Sequence, residues 1–284
     1  MPTQIRRLHF AFLAVATCLS TWSISPKAQT VQTPYSILVT NDDGVRAPGI
    51  LAVAQALQDL GEVTIVAPSE NQSGKGHSIT IADPIYVDRV TLAPGLQAYS
   101  AVATPASCVK VAVGALMSRK PDLVVSGINR GYNLGMVVYL SGTLGAAREA
   151  ALMGIPAIGA SLTTEESDYQ PAARIVHQVA ELVKKQGLER GAFLSVNVPR
   201  GTAAAIRGIQ LTRQSTLTGV ERFEEQKSPL GRRYFWSVWN EPTGDVEGTD
   251  VWAVEHGYAA VTPLKVGEFD AKTYDALRSV VIEK

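Results

Sequence analysis

The chain has 284 residues, 26 of them basic and 26 acidic, for a formal net charge of zero. That balance excludes a dedicated, strongly basic nucleic-acid polymer binder, and a hydrophobic content of 46% is enough for a sizeable core. The length suits one large α/β domain, or one domain with an appendage, and neither a fixed-period repeat nor a low-complexity tract interrupts it.

Arg6 and Arg7 open a basic start, Phe10 to Leu19 is an apolar run, and a polar, Pro-containing stretch leads to Ala28. This is the layout of a secretory signal peptide over residues 1–28, cleaved before Gln29. The apolar run is short for a membrane span, an uncleaved anchor being the alternative. The expectation is therefore an exported, periplasmic protein with no stable membrane association once processed. Cys18 would leave with the signal, so Cys108, on an apolar helical face, would be the one remaining thiol, and no intrachain disulfide could form.

The apolar, β-branched run from Tyr35 to Thr40 predicts a buried strand. It stops at Asn41-Asp42-Asp43-Gly44, and a helix from Pro48 to Leu60 follows, with the proline in its first turn. Glu62 to Ala67 reads as the second strand, so the chain opens like a doubly wound parallel sheet. Asp42 and Asp43 then lie at the carboxyl end of a strand, where such sheets bind ligands. Adjacent carboxylates are costly to hold together unless a cation neutralises them, and hard oxygen ligands favour Mg²⁺, Mn²⁺ or Ca²⁺. Helix capping is the alternative use for the pair.

Residues 68–80, with Ser73, Gly74, Lys75, Gly76 and His77, form a loop at the same sheet edge, suited to wrapping an anion but lacking the P-loop spacing. His77 is a candidate general acid there, or simply a solvated loop histidine. Residues 84–102 read as two short strands joined by Ala93-Pro94-Gly95, an edge hairpin. Thr104 and Pro105 then start a helix with Val109, Val113, Leu116 and Met117 on its apolar face. Pro121 to Asn129 is a third parallel-type strand, ending in Ser126-Gly127-Ile128-Asn129. Ser141-Gly142-Thr143 precedes a helix from Leu144 to Met153, and these small residues can either hold a phosphate at the helix N-terminus or merely cap it. Ala157 to Ala160 and Phe193 to Val198 are further strands around a helix from Tyr169 to Lys185. Beyond Gly201 the spacing predicts strands at Ile209–Thr212, Arg233–Trp239, Trp252–Val254 and Tyr258–Pro263, then a helix over Thr273–Val281. Trp236, Trp239 and Trp252 would serve a protein interface or ordinary packing.

The fold class expected is α/β: a Rossmann-like body with a mainly parallel sheet and a β-rich C-terminal extension. Three loops converge at one edge, offering two carboxylates at Asp42 and Asp43, the Ser73 hydroxyl and the Asn129 amide. Such a donor set suits a hard cation with open positions for water and a phosphate.

These motifs resemble the SurE family of 5′/3′-nucleotidases. The resemblance is carried by Asn41-Asp42-Asp43-Gly44-Val45 with Ala47-Pro48-Gly49-Ile50, by Asn71-Gln72-Ser73-Gly74, and by Ser126-Gly127-Ile128-Asn129. Gly131 with Asn133-Leu134-Gly135, Ser141-Gly142-Thr143, Gly248-Thr249-Asp250 and Thr262-Pro263-Leu264 also fit. The chain departs from the family pattern at Met136-Val137, Leu140, Ala103 and Ser107. The resemblance implies a three-layer α/β/α body and a metal-dependent phosphatase domain over residues 35–264, with the extension from about 209 and a tail over 265–284. It implies one divalent cation, Mg²⁺ or Mn²⁺, held by Asp42, Asp43, Ser73 and Asn129; on chemical grounds one of the two aspartates, Asp43, is the candidate to accept a proton from the attacking water. Asn133, Ser141, Gly142 and Thr143 become phosphate-side candidates, the substrate a nucleoside 5′-monophosphate, with the 3′-monophosphate as the further candidate, and the assembly a homodimer or tetramer. Members of the family are commonly read as cytoplasmic, which is the alternative to export. A haloacid-dehalogenase-like phosphatase would need Asp-x-Asp after the first strand, where this chain has Asp42-Asp43-Gly44. The non-enzyme alternative is an exported phosphate- or nucleotide-binding protein without turnover.

Overall fold

The computed structural model describes residue 1, residues 33–267 and residues 269–278. The signal-peptide expectation for residues 1–28, including Cys18, and the end of the C-terminal helix therefore lie outside the described residues. From Pro34 onward the chain is one compact unit.

The first strand, β1 (Ser36–Thr40), is buried along its whole length, as a strand covered on both faces must be. Ile37 and Val39 face one apolar cluster and Leu38 the other, the period-2 alternation of a pleated strand. Helix α1 (Pro48–Ala56) returns the chain to β2 (Glu62–Pro68), parallel to β1. The expected edge hairpin is β3 (Val87–Val90) and β4 (Gln97–Ala101), antiparallel to each other, with β4 parallel to β2. Helix α2 (Pro105–Val111) continues into a π-helical turn over Ala112–Leu116, and Cys108 is a buried free thiol on its packed face. Then follow β5 (Leu123–Arg130), α3 (Gly142–Leu152), β6 (Ala157–Leu162), α4 (Gln170–Gln186) and β7 (Ala192–Val198). Helices α1 and α4 cover one face of the sheet, and α2 and α3 cover the other.

The last third holds β8 (Ile209–Leu211), β9 (Val220–Lys227), β10 (Arg233–Asn240), α5 (Asp250–Glu255), β11 (Ala259–Lys265) and α6 (Ala271–Leu277). Strand β11 joins the main sheet antiparallel to β7, giving nine strands in the order β3-β4-β2-β1-β5-β6-β7-β11-β8. Strands β9 and β10 form a separate antiparallel ribbon.

Two expectations are corrected. Trp252–Val254 is helical, because the Thr249 hydroxyl accepts from the Trp252 amide at 3.3 Å and Asp250 sits in the first turn. Helix α1 ends at Ala56 rather than Leu60, in a run of turns before Gly61. The tryptophans also separate: Trp252 stacks on His256 with ring centroids 4.1 Å apart, whereas Trp236 stands exposed on the ribbon.

Candidate active site

Asp42 and Asp43 follow β1 directly, and Asn129 lies near the end of β5, its parallel neighbour. The β5–β6 register shifts between Ser126 and Asn129, after which Asn129 pairs with Ser161. The Asn129 amide nitrogen donates to the Gly131 carbonyl at 2.7 Å, so its amide oxygen is the atom left for a ligand. The main-chain nitrogen of Arg130 donates to Asp43 Oδ2 at 3.1 Å. Three of the predicted residues thus meet at one strand junction.

Asp42 points to the start of α3. The Thr143 hydroxyl donates to Asp42 Oδ1 at 2.5 Å. A Cβ on Gly142 would come within 2.9 Å of Asp42 Oδ2 and 2.8 Å of its Cβ, so only glycine lets the helix end approach this closely. Ser141 caps α3, its hydroxyl accepting from the Leu144 amide at 3.1 Å. Capping and proximity to the carboxylates therefore occur together here: Ser141 caps, and Thr143 engages Asp42.

The loop carrying Ser73 reaches the same place. The Gln72 amide donates to the Asp42 carbonyl at 2.7 Å, and the Gly76 amide to the Leu140 carbonyl at 3.0 Å. Ser73 is exposed at the tip between those two ties. Asn133 lies apart from this group: its side chain donates to Ser161 Oγ at 2.7 Å and its main-chain nitrogen to Asn197 Oδ1 at 2.8 Å, a buried network joining β5 to β6 and β7.

Burial dominates the electrostatics. It pushes the Asp42 carboxyl up to about 6, with the Asp43 charge adding to the rise and the Thr143 hydroxyl opposing it. Asp43 is also raised by burial, against the main-chain N–H and charge of Arg130. Tyr169, a buried residue, is raised by burial and then by the Asp43 charge. A pair of desolvated carboxylates with one nearby cationic side chain is the environment that a hard cation relieves. Among the described residues no three His, Cys, Asp or Glu side chains gather, so the shell would be two carboxylates completed by neutral oxygens. Ser73 and the Asn129 amide oxygen supply that oxygen chemistry, and the donor set fits the group.

Sequence reasoning missed Arg130 and Tyr169. Arg130 follows Asn129 directly, and its cationic charge beside paired acids was the available signal. Tyr169 had none, since only the fold brings α4 beside Asp43.

His77 is held against α3. Its Nε2 sits 2.8 Å from Glu149 Oε2, and Lys110 Nζ lies 3.2 Å from Glu149 Oε1. Glu149 is two turns along α3 from Gly142, and its carboxyl is held below the usual range by the His77 contact first and by Lys110. The histidine fastens the loop to the helix. His77→Ala is expected to lower stability by about 1–2 kcal/mol by depriving a buried carboxylate of one partner, with His77→Gln recovering part of it. Urea unfolding measures this, and an unchanged midpoint in the alanine variant would show that the contact carries no stability.

Fold and edge together define a doubly wound α/β protein in which paired carboxylates stand against an anion-receptive helix N-terminus. The comparisons narrow that class. The family profile described as Survival protein SurE matches residues 37–220. The chain is 41% identical over 250 residues to a protein of Christiangramia forsetii named 5′-nucleotidase SurE, covering 86% of this chain and 95% of that one. It is 45% identical over 231 residues to the protein of the same name from Cytophaga hutchinsonii, covering 80% and 89%. Among solved structures, that of the SurE protein from Aquifex aeolicus aligns with a TM-score of 0.72 at 36% identity, over 86% of this chain and 98% of that one. The chain belongs to the SurE family.

Proposed function

We propose that this chain is a 5′-nucleotidase: a divalent-metal-dependent phosphomonoesterase releasing phosphate from nucleoside 5′-monophosphates, with 3′-monophosphates as further substrates. The observation that carries this reading is the contact between Asp42 and the first turn of α3, which puts a cation-seeking pair and an anion-seeking helix end side by side. Relatives bearing the name 5′-nucleotidase support the substrate class.

Asp42, Asp43, Ser73 and Asn129 would hold one Mg²⁺ or Mn²⁺. When bound, such a cation offsets phosphoryl charge and lowers the pKa of a water. The chain's own groups do the rest. Ser141, Gly142 and Thr143 orient phosphate oxygens at the start of α3, and Asn133 braces the strand ends behind them. Asp43 accepts a proton from the attacking water, its carboxyl oriented by the Arg130 main-chain N–H. Residues 35–264 are the catalytic body and residues from about 209 an extension, whose exposed Phe223, Phe235 and Trp236 support assembly as a homodimer or tetramer. The basic pair and apolar run at the N-terminus support export, which cell fractionation tests. Among the described residues no helix is long and apolar enough to cross a membrane.

The deciding experiment measures phosphate release from a panel of nucleoside 5′- and 3′-monophosphates with EDTA, Mg²⁺ or Mn²⁺, beside Asp43→Asn. Metal-dependent release that the variant loses is the expected result. Nucleotide binding without turnover would instead establish a binding protein.

A further inference from the structure

We propose that Thr40 and Ser126 hold one buried water between β1 and β5, and that this water sets the spacing of the two strand ends that carry Asp42, Asp43 and Asn129. The water assignment stands on its own. Its consequence for the cation site rests on the phosphomonoesterase reading above.

Thr40 and Ser126 are fully buried, and neither hydroxyl oxygen has a hydrogen-bond partner among the described residues. The two are direct neighbours, because Thr40 pairs with Ser126 in the parallel register of β1 and β5. They also share a face. Leu38 and Val124, two residues earlier on each strand, both pack in the cluster under α2 and α3. The period-2 alternation of a strand puts Thr40 and Ser126 on that same face. A buried hydroxyl left unbonded is costly. Two of them side by side in one core call for one partner that serves both.

A water fits that position. Adjacent strands lie about 4.8 Å apart, and a water bonded at about 2.8 Å to each of two oxygens spans up to about 5.6 Å. It therefore joins hydroxyls on facing side chains of such a pair. Buried waters occur where polar groups would otherwise go unsatisfied. The first turn of α3 roofs the position. Gly159 pairs with Ser126 on its other side, and a Cβ there would lie 2.3 Å from Leu144 Cδ2. One residue back, the Thr143 hydroxyl donates to Asp42 Oδ1. The water is thus enclosed beneath the catalytic edge and belongs to the fold, not to the reaction.

Its place on the strands gives it a role. Thr40 and Ser126 form the last register pair of β1 and β5. Beyond it β1 gives way to Asn41, Asp42 and Asp43, and β5 shifts its register against β6 before Asn129. The candidate cation ligands therefore stand on the two arms of a fork that opens at this rung. The water fixes the base of the fork, and the Arg130 main-chain N–H on Asp43 Oδ2 ties it further out. Thr40 and Ser126 are positioning residues, acting through the strand ends and not on the reacting atoms.

A crystal structure of the full chain in EDTA tests the water directly, with one water expected within about 3.2 Å of both hydroxyl oxygens. Thr40→Val and Ser126→Ala each remove one hydroxyl with little change of shape. With a shared water, each variant strands the other hydroxyl. Each then lowers the melting temperature in EDTA by about 2–6 °C, and the double variant falls by less than the sum. Hydroxyls merely buried without a partner give the opposite sign: each variant melts higher than wild type, and the shifts add. That result, or a crystal structure with no water at the rung, overturns the proposal. For the fork, Mn²⁺ affinity read by electron paramagnetic resonance should fall about 10-fold in Thr40→Val and return in Thr40→Ser, which keeps the hydroxyl. Equal Mn²⁺ affinity in wild type and Thr40→Val would overturn the positioning role. A wild type that shows the water and the melting pattern but binds no Mn²⁺ would uphold the water and end the metal-dependent reading.

Discussion

Asp42→Asn is expected to lose phosphatase activity by about 10³-fold while making the EDTA-treated protein more stable. The first effect follows from removing one of two carboxylates that would hold the cation. The second follows from burial. The Asp42 carboxyl rises from 3.8 to about 6 in the folded chain, so its ionised form costs about 3 kcal/mol at neutral pH. Asparagine removes that cost but cannot accept the Thr143 main-chain N–H as a carboxylate does, which leaves a net gain of about 1–2 kcal/mol. The sign with pH is fixed by the direction of the shift. Between pH 3.8 and about 6 the folded state binds more protons than the unfolded one. Wild-type stability therefore falls, relative to the variant, as pH rises through that window, and the difference is constant above it. Thermal melts in EDTA across pH 4–8 measure this, the variant gaining roughly 2–8 °C at neutral pH. Adding Mn²⁺ should raise the wild-type melting temperature and leave the variant unmoved. A variant less stable than wild type in EDTA at pH 7.5 would overturn the account of a strained, desolvated pair.

Gly142→Ala has the other large effect. The added methyl would lie 2.8–2.9 Å from Asp42, closer than carbon atoms pack, so either the carboxylate or the first turn of α3 must shift. A displacement near 1 Å in such a site costs about 100-fold in rate, while overpacking of this kind costs about 1–3 kcal/mol in stability. The expected outcome is a folded protein with turnover down about 100-fold and weakened Mn²⁺ binding. Gly114→Ala is the matched control, because nothing lies within 4 Å of the added Cβ. Equal activity in the two variants would show that α3 and Asp42 are not coupled.

The first half of the fold can be read from local pattern because its strands are buried on both faces and its helices are long enough to show a period. Asp42, Asp43 and Asn129 were placeable for the same reason: each stands at the end of a recognisable buried strand. The last third resists such reading. Helix α5 spans only Asp250–Glu255, too short for helical periodicity to outweigh its aromatic and β-branched residues. Strand β9 is exposed along all of Val220–Lys227, so no alternation marks it. The finer site contacts were illegible because they are distant in sequence. Thr143 reaches Asp42 across 101 residues, and Asn133 meets Ser161 and Asn197 across 28 and 64. His77 illustrates the limit most directly. Its chemistry permitted acid catalysis, and its actual partner, Glu149, became visible only once the loop lay on α3.

The main sheet ends in very short rims, Val87–Val90 on one side and Ile209–Leu211 on the other. A rim of three or four residues offers an incoming strand few free main-chain groups, so this nine-stranded sheet is a poor template for polymerisation. The ribbon of β9 and β10 is different: its strands are eight residues each, and its aromatic residues are open to solvent. What shields it is charge, with Glu221, Arg222, Glu224, Glu225 and Lys227 crowded onto one strand. The ribbon, rather than either rim of the main sheet, is therefore the long strand pair that the described residues leave open to solvent.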